Sequence, residues 1–166
     1  MIRKFIITAL AATVIAASAA PAMSNDIFVD QFGIGNQVGG GQAGWNNKFG
    51  VKQTGWNNKG VSQQFGGNNV SAIGQQGNHN YGDVWQNGWN NQGGVGQFGN
   101  NHNAMITQDG NGNIAAGVQV GNGCNANVVQ QGSGNVTAFV QACPYPPLRT
   151  GPAPEPAPPL TPRRMK

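Results

Sequence analysis

The sequence predicts an all-β protein: a two-sheet β-solenoid of eleven short strands, built from eleven-residue strand-turn units with two units to a rung, followed by a disordered Pro-rich C-terminal tail. Three observations predict it. Gln returns at every eleventh position, without an insertion, from Gln31 to Gln141. Within each unit, alternate residues sort into an uncharged face and a face that holds every strand charge. None of the ten Pro residues falls inside the repeat, although Pro is common elsewhere in the chain. Composition points the same way. Gly supplies 27 of 166 residues and charged residues only 8%, so a conventional core of large aliphatic side chains cannot be assembled. Either the chain is disordered, or a regular scheme buries amides and glycines together.

The N-terminus comes first. Arg3 and Lys4 precede an apolar, Ala-rich stretch over residues 5–20, and Ala20-Pro21-Ala22 supplies a small-x-small cleavage site. This pattern predicts a secretory signal peptide over residues 1–22. The whole sequence carries a formal net charge of +4; without Arg3 and Lys4, seven basic side chains face five acidic ones. Between residues 25 and 143 the only basic side chains are Lys48, Lys52 and Lys59, against Asp26, Asp30, Asp83 and Asp109. That is no footprint for nucleic acid.

The repeat domain is predicted over residues 23–143. Its Gln column is Gln31, Gln42, Gln53, Gln64, Gln75, Gln86, Gln97, Gln108, Gln119, Gln130 and Gln141. Two residues after each of the first ten stands a turn glycine: Gly33, Gly44, Gly55, Gly66, Gly77, Gly88, Gly99, Gly110, Gly121 and Gly132. An Asn column runs through Asn25, Asn36, Asn47, Asn58, Asn69, Asn80, Asn91, Asn113 and Asn135, interrupted by His102 and Cys124. Each unit divides into a seven-residue strand, from 25–31 through 135–141, and a four-residue turn rich in the residues that tolerate positive φ.

Strand alternation places the Asn, the third residue, the fifth residue and the Gln on one face. The middle pairs there include Phe49/Val51, Ser71/Ile73, Ala104/Ile106 and Thr137/Phe139, while Lys48, Lys52, Lys59, Asp26, Asp30 and Asp83 all fall on the other. Short turns reverse the chain, so strand k stacks on strand k+2. Stacked at ~4.8 Å per rung, five and a half rungs make a rod roughly 25 Å long. Gln above Gln donates to one neighbour and accepts from the other, which removes the usual cost of a buried amide.

The pattern Gln-x-Gly-x-x-Asn, with Gln returning six residues after the Asn, resembles the repeat of the curlin family, the subunits of bacterial extracellular amyloid fibres called curli. The resemblance covers residues 25 to 141 and implies that the Gln and Asn columns form the stacked ladders. It implies a structural subunit of an extracellular amyloid fibre, secreted to the cell surface, serving adhesion and biofilm matrix. Its implied partners are further copies of itself stacked in register, other curlin-like subunits and a secretion pore. The readings beside it are a minor, nucleating curlin at the cell surface and a monomeric β-solenoid that binds glycan or ice. The outward positions are mixed rather than a Thr array, which disfavours ice. The repeat starts within three residues of the predicted cleavage site, where curlins usually carry a non-repeat segment. A Pro-rich basic tail, residues 144–166, follows the last strand.

Nothing in the sequence assembles catalysis. No Ser/His/Asp set, inward carboxylate pair or phosphate loop can be placed, so the chain reads as a non-enzyme without cofactor or metal. His79 sits in a turn and His102 takes an Asn position. Trp45, Trp56 and Trp89 recur at turn corners, with Trp45 and Trp89 two rungs apart on one edge and Trp56 on the other. They read as corner packing between stacked turns, beside the alternative of exposed aromatic rows that grip surfaces, glycans or dyes. The register also points to a Cys124–Cys143 disulfide: Cys143 follows the last strand above Gly121, one rung from Cys124. The alternative is two separate thiols, with Cys124 replacing Asn.

Overall fold

The computed structural model describes residues 24–144. The predicted signal peptide and, apart from Pro144, the Pro-rich tail lie outside the described residues. Eleven strands follow one another: β1 (Asp26–Ile34), β2 (Gln37–Trp45), β3 (Lys48–Trp56), β4 (Lys59–Gly67), β5 (Val70–Asn78), β6 (Tyr81–Trp89), β7 (Gln92–Asn100), β8 (Asn103–Asn111), β9 (Ile114–Asn122), β10 (Asn125–Ser133) and β11 (Val136–Cys143).

Odd strands form a six-stranded sheet in the order β1-β3-β5-β7-β9-β11, and even strands a five-stranded sheet in the order β2-β4-β6-β8-β10. Every pairing is parallel, and each residue lies beside its equivalent two units on: Gln31 beside Gln53, Gln42 beside Gln64. Parallel strands normally need a long crossover. Here the crossover is the facing strand of the same rung, which is why so short a unit suffices. Residues 24–144 thus make five full rungs and a half rung, β11, at the C-terminal end.

The inner faces meet in a narrow core. Phe49, Val51, Ile73, Val84, Val95, Ala104, Ile106 and Ala115 are buried, and Val38 and Val128 pack against them from the terminal rungs. The charges stay outside. Lys52 pairs with Asp30 on the adjacent strand at 3.2 Å, both well exposed, a geometry of little energetic weight. The Lys59 ammonium lies 5.5 Å from the Tyr81 ring centroid, and the Tyr81 hydroxyl donates to Asp83 at 3.1 Å. Burial, and then the Asp83 carboxylate, raise the Tyr81 phenol above its ordinary pKa.

Strand boundaries differ from the sequence expectation of a seven-residue strand and a four-residue turn. Each complete strand has nine residues, and only two residues connect it to the next. The reason is that corners stack too. The glycine two places after each of the first ten column Gln residues adopts a φ between 93° and 127° and bends the chain, yet it keeps its register with the next rung, as Gly33 does with Gly55 and Gly44 with Gly66. The second bend falls two residues later, at Asn46, Asn57, Asn68, His79 and their equivalents, with φ between 53° and 72°.

Gly66 shows what the first bend requires. Its φ is +107°, and a Cβ there would collide with the backbone carbonyl of Gly88. Gly50, on the outer face, has open space where a Cβ would be. Gly66→Ala is therefore expected to lower stability by about 2 kcal/mol or more. Gly50→Ala should be neutral or stabilising by about 0.5 kcal/mol. Urea unfolding of the two variants beside the parent chain reads the difference.

Candidate functional site

The inner Gln column is continuous in both sheets. In the six-stranded sheet Gln31 Nε2 donates to Gln53 Oε1 at 2.7 Å, Gln53 to Gln75 at 2.7 Å, Gln75 to Gln97 at 2.8 Å, Gln97 to Gln119 at 3.0 Å and Gln119 to Gln141 at 2.9 Å. In the five-stranded sheet Gln42, Gln64, Gln86, Gln108 and Gln130 are linked likewise, at 2.7–2.8 Å. The second Nε2 hydrogen crosses the core. Gln53 donates to the Gln37 carbonyl, Gln64 to that of Lys48, Gln75 to that of Lys59 and Gln86 to that of Val70, each at 3.0 Å. One side chain therefore ties its own sheet along the rod and the two sheets to each other.

Along both ladders every Gln-to-Gln bond points the same way, donating toward the C-terminal end. The ladders consequently end differently. At the start, Gln42 Oε1 has no donor among the described residues, and Gln31 is exposed. At the finish, Gln141 Nε2 donates to the Asn125 carbonyl at 3.1 Å and has no rung above it among the described residues. Gln130 Nε2 donates to Thr137 Oγ1 at 3.0 Å in place of another Gln.

The Asn column fastens the corners. Asn69 Oδ1 accepts the backbone N–H of Asn91 one rung on, at 3.0 Å. Its Nδ2 donates to the Phe65 carbonyl at 3.2 Å and to the Gly88 carbonyl, 19 residues on, at 2.9 Å. The same step of 19 links Asn25 to Gly44, Asn36 to Gly55, Asn47 to Gly66, Asn58 to Gly77, Asn80 to Gly99, Asn91 to Gly110 and Asn113 to Gly132. Asn135 donates to Asn113 Oδ1 and to the Gln131 carbonyl, both at 2.9 Å.

The two interruptions reproduce parts of this pattern with other chemistry. His102 is buried, and its Nδ1 accepts the Cys124 backbone N–H at 3.1 Å where an Asn would offer Oδ1. Its Nε2 lies 3.2 Å from the Phe98 carbonyl, four residues back, as an Asn Nδ2 would. These partners assign the neutral tautomer with the proton on Nε2. Cys124 and Cys143 are joined in a disulfide with a Cα–Cα distance of 5.6 Å. Cys143 stands in the glycine column beside Gly121, and its separation from Cys124 is again 19 residues. The covalent bond thus occupies the place of the Asn-to-Gly hydrogen bond at the last corner.

Several contacts were not foreseen from the sequence. Trp45 and Trp89, two rungs apart, meet edge-to-face with ring centroids 5.8 Å apart. Gly67 lies between them in the column, and Trp89 fills the space where its Cβ would be. Reading down the column, Trp45-Gly67-Trp89, would have shown the vacancy. Trp56 is on the other edge, its backbone N–H donating to Asn78 Oδ1 at 3.0 Å. His79 occupies the bend position, with Nε2 3.4 Å from Asn57 Nδ2. Among the described residues no group of three or more His, Cys, Asp or Glu side chains is placed to hold a metal ion.

Four substitutions test the ladder. Gln86→Leu leaves Gln64 Nε2 without its acceptor, and Gln108 Oε1 and the Val70 carbonyl without this donor. A loss of about 2–5 kcal/mol is expected. The same replacement at an exposed Gln on the adjacent strand β4, Gln63→Leu, should stay within about 0.5 kcal/mol. His102→Asn should be tolerated, whereas His102→Ala should cost about 1–3 kcal/mol. Denaturant midpoints check all four variants.

The disulfide gives a second prediction. Reduction should raise amide hydrogen exchange in β11 and leave the Gln-bearing segments of β3 to β8 protected, because their own corners and ladders hold them. Exchange rising equally along the whole rod would contradict this assignment of the bond's role.

Comparison with known proteins adds a match to a family repeat. Residues 77–110 match the Curlin associated repeat, a stretch that runs from the corner of β5 through β6 and β7 to the corner of β8. No curated protein matches the chain in sequence. The same register, column pattern and hydrogen bonds extend on both sides of the matched segment. The chain carries the curlin-associated repeat in a β-solenoid, and this supports its assignment to the curlin family.

Proposed function

We propose that the mature chain is a secreted subunit of a curli-like extracellular amyloid fibre, polymerising through continuation of its Gln and Asn ladders. The observation that carries this reading is the pair of open ends. Within the described residues neither terminal rung is covered by a capping element. The ladder acceptor Gln42 Oε1 has no donor at one end, and at the other Gln141 and Gln130 donate to a backbone carbonyl and a Thr hydroxyl rather than to a further Gln. Solenoids that remain monomeric need polar caps, and an open strand edge is a template for another chain. The first strand adds exposed Ile27, Phe28, Phe32 and Ile34. The signal-peptide pattern supports export, and the family supports a place at the cell surface, among other curlin-like subunits and a secretion pore, in adhesion and biofilm matrix. The role is structural, with no chemistry to perform.

Purified mature protein incubated at micromolar concentration should form fibres that bind thioflavin and give a meridional reflection near ~4.8 Å. A monomer that stays soluble and thioflavin-negative over days would overturn the reading.

A further inference from the structure

The described strands are odd in number. The six-stranded sheet ends in β11, while the five-stranded sheet stops one strand short, at β10. A second copy stacked on this end has two ways to sit. If its six-stranded sheet continues the first copy's, its β1 lies on β11. The other sheet is then broken by one missing strand between β10 and the next copy's β2. Both edges would carry buried, unpaired backbone groups, which is costly. If instead the second copy is turned by half a turn about the rod axis, its β1 lies on β10 and its β2 on β11. Every backbone edge is then paired.

The half-turned arrangement requires the two sheets to be equivalent, and they are. Gln53 in the six-stranded sheet and Gln64 in the five-stranded sheet make the same contacts, to the Gln 22 residues on and the carbonyl 16 residues back. Asn58 and Asn69 likewise both reach the glycine carbonyl 19 residues on. Each strand thus relates to the next by a half-turn and half a rung, so a half-turned copy extends the pattern without a new kind of contact.

The terminal side chains fit this arrangement. Gln42 of the incoming copy, whose Oε1 lacks a donor among the described residues, comes over Gln141, the end of a donor chain. Gln31 comes over Gln130, whose Nε2 is held meanwhile by Thr137 Oγ1. Phe139, whose ring fills the space over Gly117 within its own chain, meets Gly40, which adds no side chain to that column. In the unturned arrangement Phe139 meets Val29 instead. The exposed Ile27 and Val29 cover Ala126 and the half-buried Val128.

We propose that a second copy of this chain is the occupant of the open end, docked with a half-turn, so that the fibre repeats every two copies rather than every one. This rests on the fibre reading above and specifies its interface. Helical reconstruction by electron cryomicroscopy of fibres grown from the mature full chain tests it. Eleven half-rungs of ~2.4 Å predict a rise of ~26 Å per copy with a rotation near half a turn, apart from gradual twist. A rise of ~29 Å with rotation near zero, and one strand absent from one sheet per copy, would overturn the docking while leaving the fibre intact. A parity variant sharpens the test. Deleting residues 70–80 removes one unit in phase and leaves ten strands, so its fibres should show a rise of ~24 Å and no half-turn. A half-turn persisting in that variant would also overturn the proposal. Absence of fibres from the full chain would instead remove the fibre reading itself, and this interface with it.

Discussion

A glutamine in a dry interior must satisfy two N–H groups and a carbonyl oxygen, and the rest of this structure follows from that requirement. Left unmatched, each group costs on the order of 1–3 kcal/mol. The chain buries Gln53, Gln64, Gln86, Gln97, Gln108 and Gln119 completely. Their amides are satisfied only if the next Gln lies one rung along the same face and the facing strand offers a carbonyl at the right height. A slip of one residue would turn every Gln outward and every outer charge inward. The amide column therefore selects the register, and the register places Asn at each corner and glycine at each bend. Apolar burial selects the same face, but aliphatic contacts are not directional and would not by themselves distinguish this register from one slipped by two residues, which keeps that face inward.

The corner positions show that a pattern of donors and acceptors is required rather than one residue type. His102 supplies a ring nitrogen acceptor where Asn supplies Oδ1, and its second nitrogen reaches the carbonyl four residues back. Cys124 supplies no amide at all, and a bond to Cys143 spans the same interval of 19 residues. That bond falls at the last described corner, where one side of the strand has no neighbour among the described residues. Covalent closure there restrains the strand most easily frayed, whereas in the middle of the rod each strand is held from both sides.

The fold was legible in the sequence because three independent signals share one period. Gln31 to Gln141 set the step, the bend glycines set its phase, and the outward placement of Lys48, Lys52, Lys59 and Asp83 set the face. Boundaries were less legible. Gly33 and its equivalents read as turn because they bend the chain, yet in a solenoid a bend stacks on the bend below and keeps its ladder bonds. Which residues share a column follows from the step, but the direction in which each amide donates does not, because Gln looks the same in either orientation. Corner packing of the tryptophans is legible in the sequence, but the direct Trp45–Trp89 contact is not, for a related reason: Gly67 reads as a turn residue along the chain and as a gap only down the column.

The central claim is that buried glutamine amides form directional columns, each Gln donating to its equivalent two units further along the chain. Solid-state NMR on protein with 15N,13C-labelled Gln measures it most directly, through transfer from side-chain Nε2 to the side-chain carbonyl carbon of another Gln. Nε2 of Gln53 should correlate with the carbonyl of Gln75, and Nε2 of Gln64 with that of Gln86, each within about 4 Å, the reach of one hydrogen bond. Correlations between Gln residues of successive units, such as Gln53 and Gln64, or cross-peaks to water in place of cross-peaks between side chains, would contradict the account.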